Sequence, residues 1–174
     1  MESGPPPRRA AEALSAALTE DVAVTSADEV DGGFHARHSA RSRSYRYRIF
    51  RRRVPSPFEA RRSLWWPRPL DEDALAQAAG LVAGEHDFRA FTPSQTQHEV
   101  FRRLVYAAAW TSAGDYLEFT ITADSFLRHM VRTLVGTMLE RSPEDIERLL
   151  AGGVRVDAGS TAPAWGLYLE RVAY

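Results

Sequence analysis

The stretch Ser44 to Phe50 reads SYRYRIF, and its strict alternation constrains the fold more than any other part of the chain. At a period of two, Tyr45, Tyr47 and Ile49 share one face of a strand while Arg46 and Arg48 share the other. The first face calls for a packed layer and the second for water or an anion. The pattern by itself leaves two roles open for the tyrosines. They can be core, or one of them can face a pocket and stack on a base, as sheets do when they bind single-stranded nucleic acid.

Further strands and helices follow from the same rules. Asp21 to Ser26 (DVAVTS) alternates like a strand, with a turn marked by Asp31, Gly32 and Gly33. Arg102 to Trp110 and Tyr116 to Thr122 read as a strand pair turning at Gly114 and Asp115, and Trp165 to Tyr174 supplies a last strand. The Ala-rich segment Ala10 to Leu18 predicts a short helix. Asp71 is an N-cap followed by Glu72 and Asp73, for a helix reaching about Ala83 before Gly84. Asp124 to about Arg141 predicts the longest helix. Ser142, Pro143 and Asp145 form the capping-box pattern for another, which ends at Gly152 and Gly153.

Residues 1–8, with Pro5, Pro6 and Pro7, read as a frayed leader, and Arg51 to Pro69 reads as loop, broken by Pro55, Pro57, Pro67 and Pro69. Residues 9–174 then form one domain, since 174 residues are too few for two comfortable ones. Strands and helices that do not alternate one for one predict an α+β fold. Its largely antiparallel sheet would carry helices on one face and leave the other free to bind.

Some functions are excluded early. No apolar run approaches the roughly 20 residues of a membrane helix. The opening MESGPPPRR lacks the apolar centre of a secretory signal. Cysteine is absent, which removes disulfides, thiolate catalysis and cysteine-held zinc, and fits a cytoplasmic protein. The five histidines show no metal-ligand spacing, and no phosphate-binding glycine loop or serine nucleophile elbow occurs. Any catalysis is expected to need no cofactor and to use carboxylate, tyrosine or arginine.

The net charge of −1 conceals an asymmetry: Phe34 to Arg68 holds 11 arginines and a single acid, Glu59. Every basic residue is arginine, whose planar fork suits phosphate. An arginine run can equally be a solvated face or the imprint of a GC-rich genome. In the helix DSFLRHMVRTLVGTMLER, Phe126, Leu127, Met130, Val131, Leu134, Val135 and Met138 fill one half of the wheel. Arg128, His129, Arg132 and Gly136 fall on the other, and Gly136, one turn past Arg132, is expected to leave that arginine unwalled.

Several strings taken together resemble the TruA-type tRNA pseudouridine synthases. GFHARHSARSRSYRYRIF is similar to that family's FHARFSA and RxYxY segment, and GEHDFRAF to its HDF turn. VFRRL fits an apolar-Arg position, and ALSAALTEDVAV, near the start of this chain, is similar to the family's ALN and DI.V segment. FLRHMVRTLVGTMLE resembles its HMVR helix, and WGLYLERVAY its closing GLYL strand. The matches run in order over roughly residues 13–174. The resemblance implies uridine-to-pseudouridine isomerisation in tRNA, with the anticodon stem-loop as the expected target.

It also implies roles. Tyr45 would stack on the target base and assist removal of the C5 proton, Arg132 would pair with the catalytic aspartate, and Leu167 would pack against the flipped base. Arg37, Arg41, Arg43, Arg46, Arg48, Arg128 and His129 would bind the substrate. The family's nucleophilic aspartate lies in a GRTDAGVHA segment, and no such string occurs among these 174 residues. The sequence therefore resembles the C-terminal part of the enzyme. It is expected to be inactive alone, with Arg132 facing water or a substitute partner and a sheet edge left open. A non-catalytic RNA-binding domain, or one half of a two-chain synthase, is the alternative. The family also suggests a homodimer.

Overall fold

The computed structural model describes residues 4–174, and the chain separates into two compact units, Met1–Ser39 and Ala40–Tyr174. In the first, helix α1 (Pro7–Ala17) starts with Pro7 at its first turn, where a missing N–H costs nothing. The expected strand over Asp21 to Ser26 does not form. Val24 instead exchanges backbone hydrogen bonds with the Ser15 hydroxyl, at 2.8 and 3.3 Å. Alternation alone makes no strand without a neighbouring edge to pair with. The turn at Asp31 is present, with Phe34 N–H donating to the Asp31 carbonyl at 2.9 Å.

The second unit is α+β. Strand β1 (Ser42–Phe50) pairs antiparallel with β5 (Tyr116–Ala123), which pairs antiparallel with β4 (Arg102–Ala113), and β3 (Gly84–Asp87) closes that side. The other side of β1 is shared by β6 (Leu167–Ala173), antiparallel, and the two-residue β2 (Leu64–Trp65), parallel. Neither β2 nor β3 was foreseen. Both are too short to carry a periodic signal. Among the described residues β6 pairs with no strand other than β1.

Local signals account for the helices. In α2 (Glu72–Val82) the Asp71 carboxylate accepts from Ala74 N–H at 2.9 Å. In α4 (Pro143–Leu150) Ser142 and Asp145 complete the reciprocal capping box. Tyr47, Ile49, Leu117, Phe119 and Ile121 on one face of the sheet form a single core with Leu75, Ala79 and Val82 of α2, Leu134 and Val135 of α3 (Met130–Glu140), and Ile146 of α4.

The third helix departs from expectation at both its start and its surroundings. It begins at Met130 and not at Asp124, because His129 adopts φ 61°, a left-handed conformation that no helix can continue through. Leu127 is still buried as the wheel required, but from a loop. Nor is the far side of α3 open. Residues 159–162 lie across it, with Gly159 N–H donating to Thr137 Oγ1 at 3.1 Å and Thr133 and Thr161 hydroxyls 3.2 Å apart. A Cβ on Gly136 would sit 1.8 Å from the Ser160 carbonyl oxygen. The glycine therefore serves close approach and does not clear space beside Arg132.

Candidate active site

Tyr45 is half-buried on β1 and packs edge-on against Phe126, with ring centroids 5.0 Å apart. Two residues along the same face, Tyr47 is fully enclosed, and its hydroxyl donates to the Pro163 carbonyl at 2.8 Å. Burial pushes the Tyr47 phenol well above its ordinary value, and the Arg132 charge pulls the other way. Leu167, at the start of β6, lies opposite Tyr47 in the register.

Arg132 stands in the first turn of α3 and is held twice by one residue. Its backbone carbonyl accepts from Ala162 N–H at 3.1 Å, and its Nε donates to the Ala162 carbonyl at 2.7 Å. Ala162 and Pro163 thus tie the helix arginine and the strand tyrosine to one short segment. Sequence reasoning missed these two carbonyls, because backbone acceptors leave no trace in residue identity. Among the described residues no carboxylate pairs with Arg132. Ala162 is the substitute partner, for one N–H of the fork.

Arg128 is exposed and His129 half-buried at the N-terminal end of the same helix, and Arg128 is anchored by the buried Thr92, whose hydroxyl donates to its carbonyl at 3.0 Å. Burial lowers the His129 pKa, and the charges of Arg132 and Arg128 add to the effect. With the helix N-terminus, these groups make a positive corner suited to a carboxylate or phosphate. His129 is therefore expected to titrate below 6.5 in the free chain and to rise when an oligonucleotide binds, by NMR of its ring protons. Because the folded state holds the proton less tightly, His129 disfavours the fold increasingly as pH falls below 6.5. An unchanged resonance on RNA addition would place the anion elsewhere.

The remaining candidate residues are dispersed. Arg37 lies in the first unit. Arg41, just before β1, has its N–H on the Ala173 carbonyl, and Arg43 Nη1 donates to the carbonyls of Asp124 (2.8 Å) and Ala40 (3.2 Å). Arg46 and Arg48 occupy the sheet face opposite Tyr45, and both are paired. Glu118 accepts from Arg46 at 3.2 Å and from Arg48 at 3.1 Å, and Glu170 accepts from Arg46 Nε at 3.0 Å. Arg51 meets Glu72, and Arg52 meets Asp115. The free sheet face is a lattice of both signs, so the local charge count overstated its pull on a polyanion.

Neither Asp124 nor Asp87 stands in for the missing acid at Arg132. Asp124 Oδ1 accepts from Leu104 N–H and from Ser125, at the end of the β4–β5 ladder. Asp87 is clasped by Arg89. No metal-binding group of histidines and acids occurs among the described residues, and none of their helices is long and apolar enough to cross a membrane.

Comparison with known proteins matches the sequence to one class of enzyme. The family model for tRNA pseudouridine synthase matches residues 78–174. The tRNA pseudouridine synthase A of Moorella thermoacetica is 44% identical over 167 residues, which cover 93% of this chain and 68% of that protein. That of Thermus thermophilus is 41% identical over 182 residues, covering 100% and 72%. That of Bacillus subtilis is 36% identical over 167 residues, covering 93% and 68%. The chain belongs to the tRNA pseudouridine synthase family.

Proposed function

We propose that residues 40–174 form the base-binding half of a site that isomerises uridine to pseudouridine in tRNA, in the anticodon stem-loop, and that the nucleophilic carboxylate arrives opposite Arg132 from outside these 174 residues. The reaction breaks the N1–C1′ bond, turns the uracil, and forms the C5–C1′ bond, with the C5 proton passing to a base or to solvent and N1 taking up a proton in its place. It needs a carboxylate at C1′ or C6, a pocket that retains the loose uracil, and a nucleotide drawn out of its stack. Tyr45 offers a ring to stack on that uracil, and Leu167 an apolar wall. The observation that carries the reading is Arg132, fixed by Ala162 with the rest of its guanidinium unpaired. A carboxylate placed there would be held ionised and oriented.

The active protein is read as cytoplasmic, with a second copy in a homodimer or a separate N-terminal catalytic half as its partner. A binding-only role follows instead if no such acid ever meets Arg132. The test begins with binding. The chain is expected to bind unmodified tRNA weakly, with affinity falling steeply as salt rises, measured by filter binding from 50 to 200 mM salt. Because Arg46, Arg48, Arg51 and Arg52 are already paired, the slope should correspond to only a few phosphate contacts. Affinity independent of salt would overturn the reading.

A further inference from the structure

A cleft of about 780 Å³ opens at the β2 end of β1, between the loop before β2 and Ala164 and Trp165, which follow the segment that holds Arg132 and Tyr47. Phe50, Leu64, Trp65, Ala164 and Trp165 line it. Trp65 and Trp165 are 44% and 50% exposed, so two indoles present faces to solvent, one of them with its Nε1 donating to the Arg52 carbonyl at 2.9 Å. Half-exposed tryptophans are costly to leave bare, and nothing in the proposed isomerisation uses them.

The charges around the cleft differ from those on the open sheet face. Arg61 lines it, in a left-handed conformation (φ 64°) that non-glycine residues seldom adopt, and Arg53 and Arg62 flank it in sequence. None of these three has a carboxylate partner among the described residues, whereas Arg46, Arg48, Arg51 and Arg52 all do. The acid in the wall, Glu59, is turned to the Ser63 hydroxyl at 3.1 Å and toward Arg48. Two copies of such a cleft facing each other would set arginines against arginines. Aromatic faces beside unpaired guanidinia suit an unstacked base with its phosphates.

We infer that this cleft binds a second, unstacked nucleotide of the RNA, a neighbour of the target uridine, with Trp165 as its stacking platform and Arg61 on its phosphate. Trp165 lies three residues after Ala162 and two before Leu167, so one short segment joins both sites. The inference rests on the proposed function, since it takes the same RNA as ligand. Occupying this cleft would help keep the neighbouring target out of its stack.

The test is a titration of tryptophan fluorescence with an unmodified anticodon stem-loop RNA, at several salt concentrations. Trp165→Ala is expected to weaken binding about tenfold and remove most of the quenching, with the salt slope unchanged. Trp165→Phe should stay within about threefold of the parent, and Arg61→Gln should lower the salt slope by about one. Circular dichroism of each variant excludes misfolding. If the parent binds RNA with a salt slope and Trp165→Ala binds equally well, the cleft assignment fails while the proposed function stands. The cleft also fails if Trp165→Ala only converts a dimer of this chain to monomer. If the parent binds no RNA at any salt, the functional reading fails and the cleft with it.

Discussion

Incubated alone with tRNA carrying tritium at uridine C5, the 174-residue chain is expected to release no tritium to water, on the order of 10⁴-fold or more below a complete synthase. Isomerisation replaces the C5–H bond with C5–C1′, so release of that hydrogen counts turnovers directly. The expectation follows from the surroundings of Arg132. A positively charged group without a carboxylate can hold a phosphate or position a base, but it cannot attack C1′ or C6. The acids on neighbouring segments are committed elsewhere: Asp124 to Leu104 and Ser125, Asp87 to Arg89, and Glu140 to Ser160. Adding a second polypeptide that carries a GRTD segment should restore release if the acid can arrive in trans. In that mixture Arg132→Met should abolish the gain, since the aspartate would lose the charge that keeps it ionised and oriented. Robust release from the chain alone would show that one of its own carboxylates reaches the base, and the reading of Arg132 as half of a pair would be wrong.

What could be read from the sequence was what short-range physics decides. The Asp71 cap, the capping box at Ser142, and the β4–β5 pair around Gly114 each depend on residues within one turn of one another, and all three are present. The alternation around Tyr45 put the correct residues inside: Tyr47 and Ile49 are fully buried, and Arg46 and Arg48 face outward. The failures have long-range causes. The strand expected over Asp21 to Ser26 had no edge to pair with. Four of the eleven arginines between Phe34 and Arg68, namely Arg46, Arg48, Arg51 and Arg52, meet Glu72, Asp115, Glu118 and Glu170, between 21 and 124 residues away in the chain. A window of local charge cannot register such partners. The left-handed His129 is likewise invisible, because nothing in its residue type requires φ 61°. The family resemblance singles out Tyr45, Arg132 and Leu167 as expected site residues, but the segment that ties the helix arginine and strand β1 together, Ala162 and Pro163, works through carbonyls that any residue would supply.

Gly136→Ala is expected to be the most disruptive single-methyl change in the protein, with an internal control of opposite sign. In isolation, alanine is the better helix former by about 1 kcal/mol, so helix propensity predicts a gain. Position 136 is not isolated. The new methyl would lie 1.8 Å from the Ser160 carbonyl oxygen, 2.9 Å from its carbon and 3.3 Å from the Ala162 nitrogen, all of them backbone atoms. No rotamer relieves such a clash, so residues 159–162 must lift from the helix. Lifting them loosens the Gly159 hydrogen bond to Thr137 and both bonds between Ala162 and Arg132. A net loss of about 3 kcal/mol should appear as a lower urea midpoint with little change in slope. Gly80→Ala provides the control. Gly80 lies in α2, is exposed, and has nothing within 4 Å of the position its Cβ would take. There the propensity term acts alone, and stability should rise by about 0.5–1 kcal/mol. If Gly136→Ala were as stable as the parent, residues 159–162 would not be seated on α3, and the fixed orientation of Arg132 would lose its physical basis. If both variants gained stability, propensity would outweigh contact at both sites, and the close approach at Ser160 would be refuted directly.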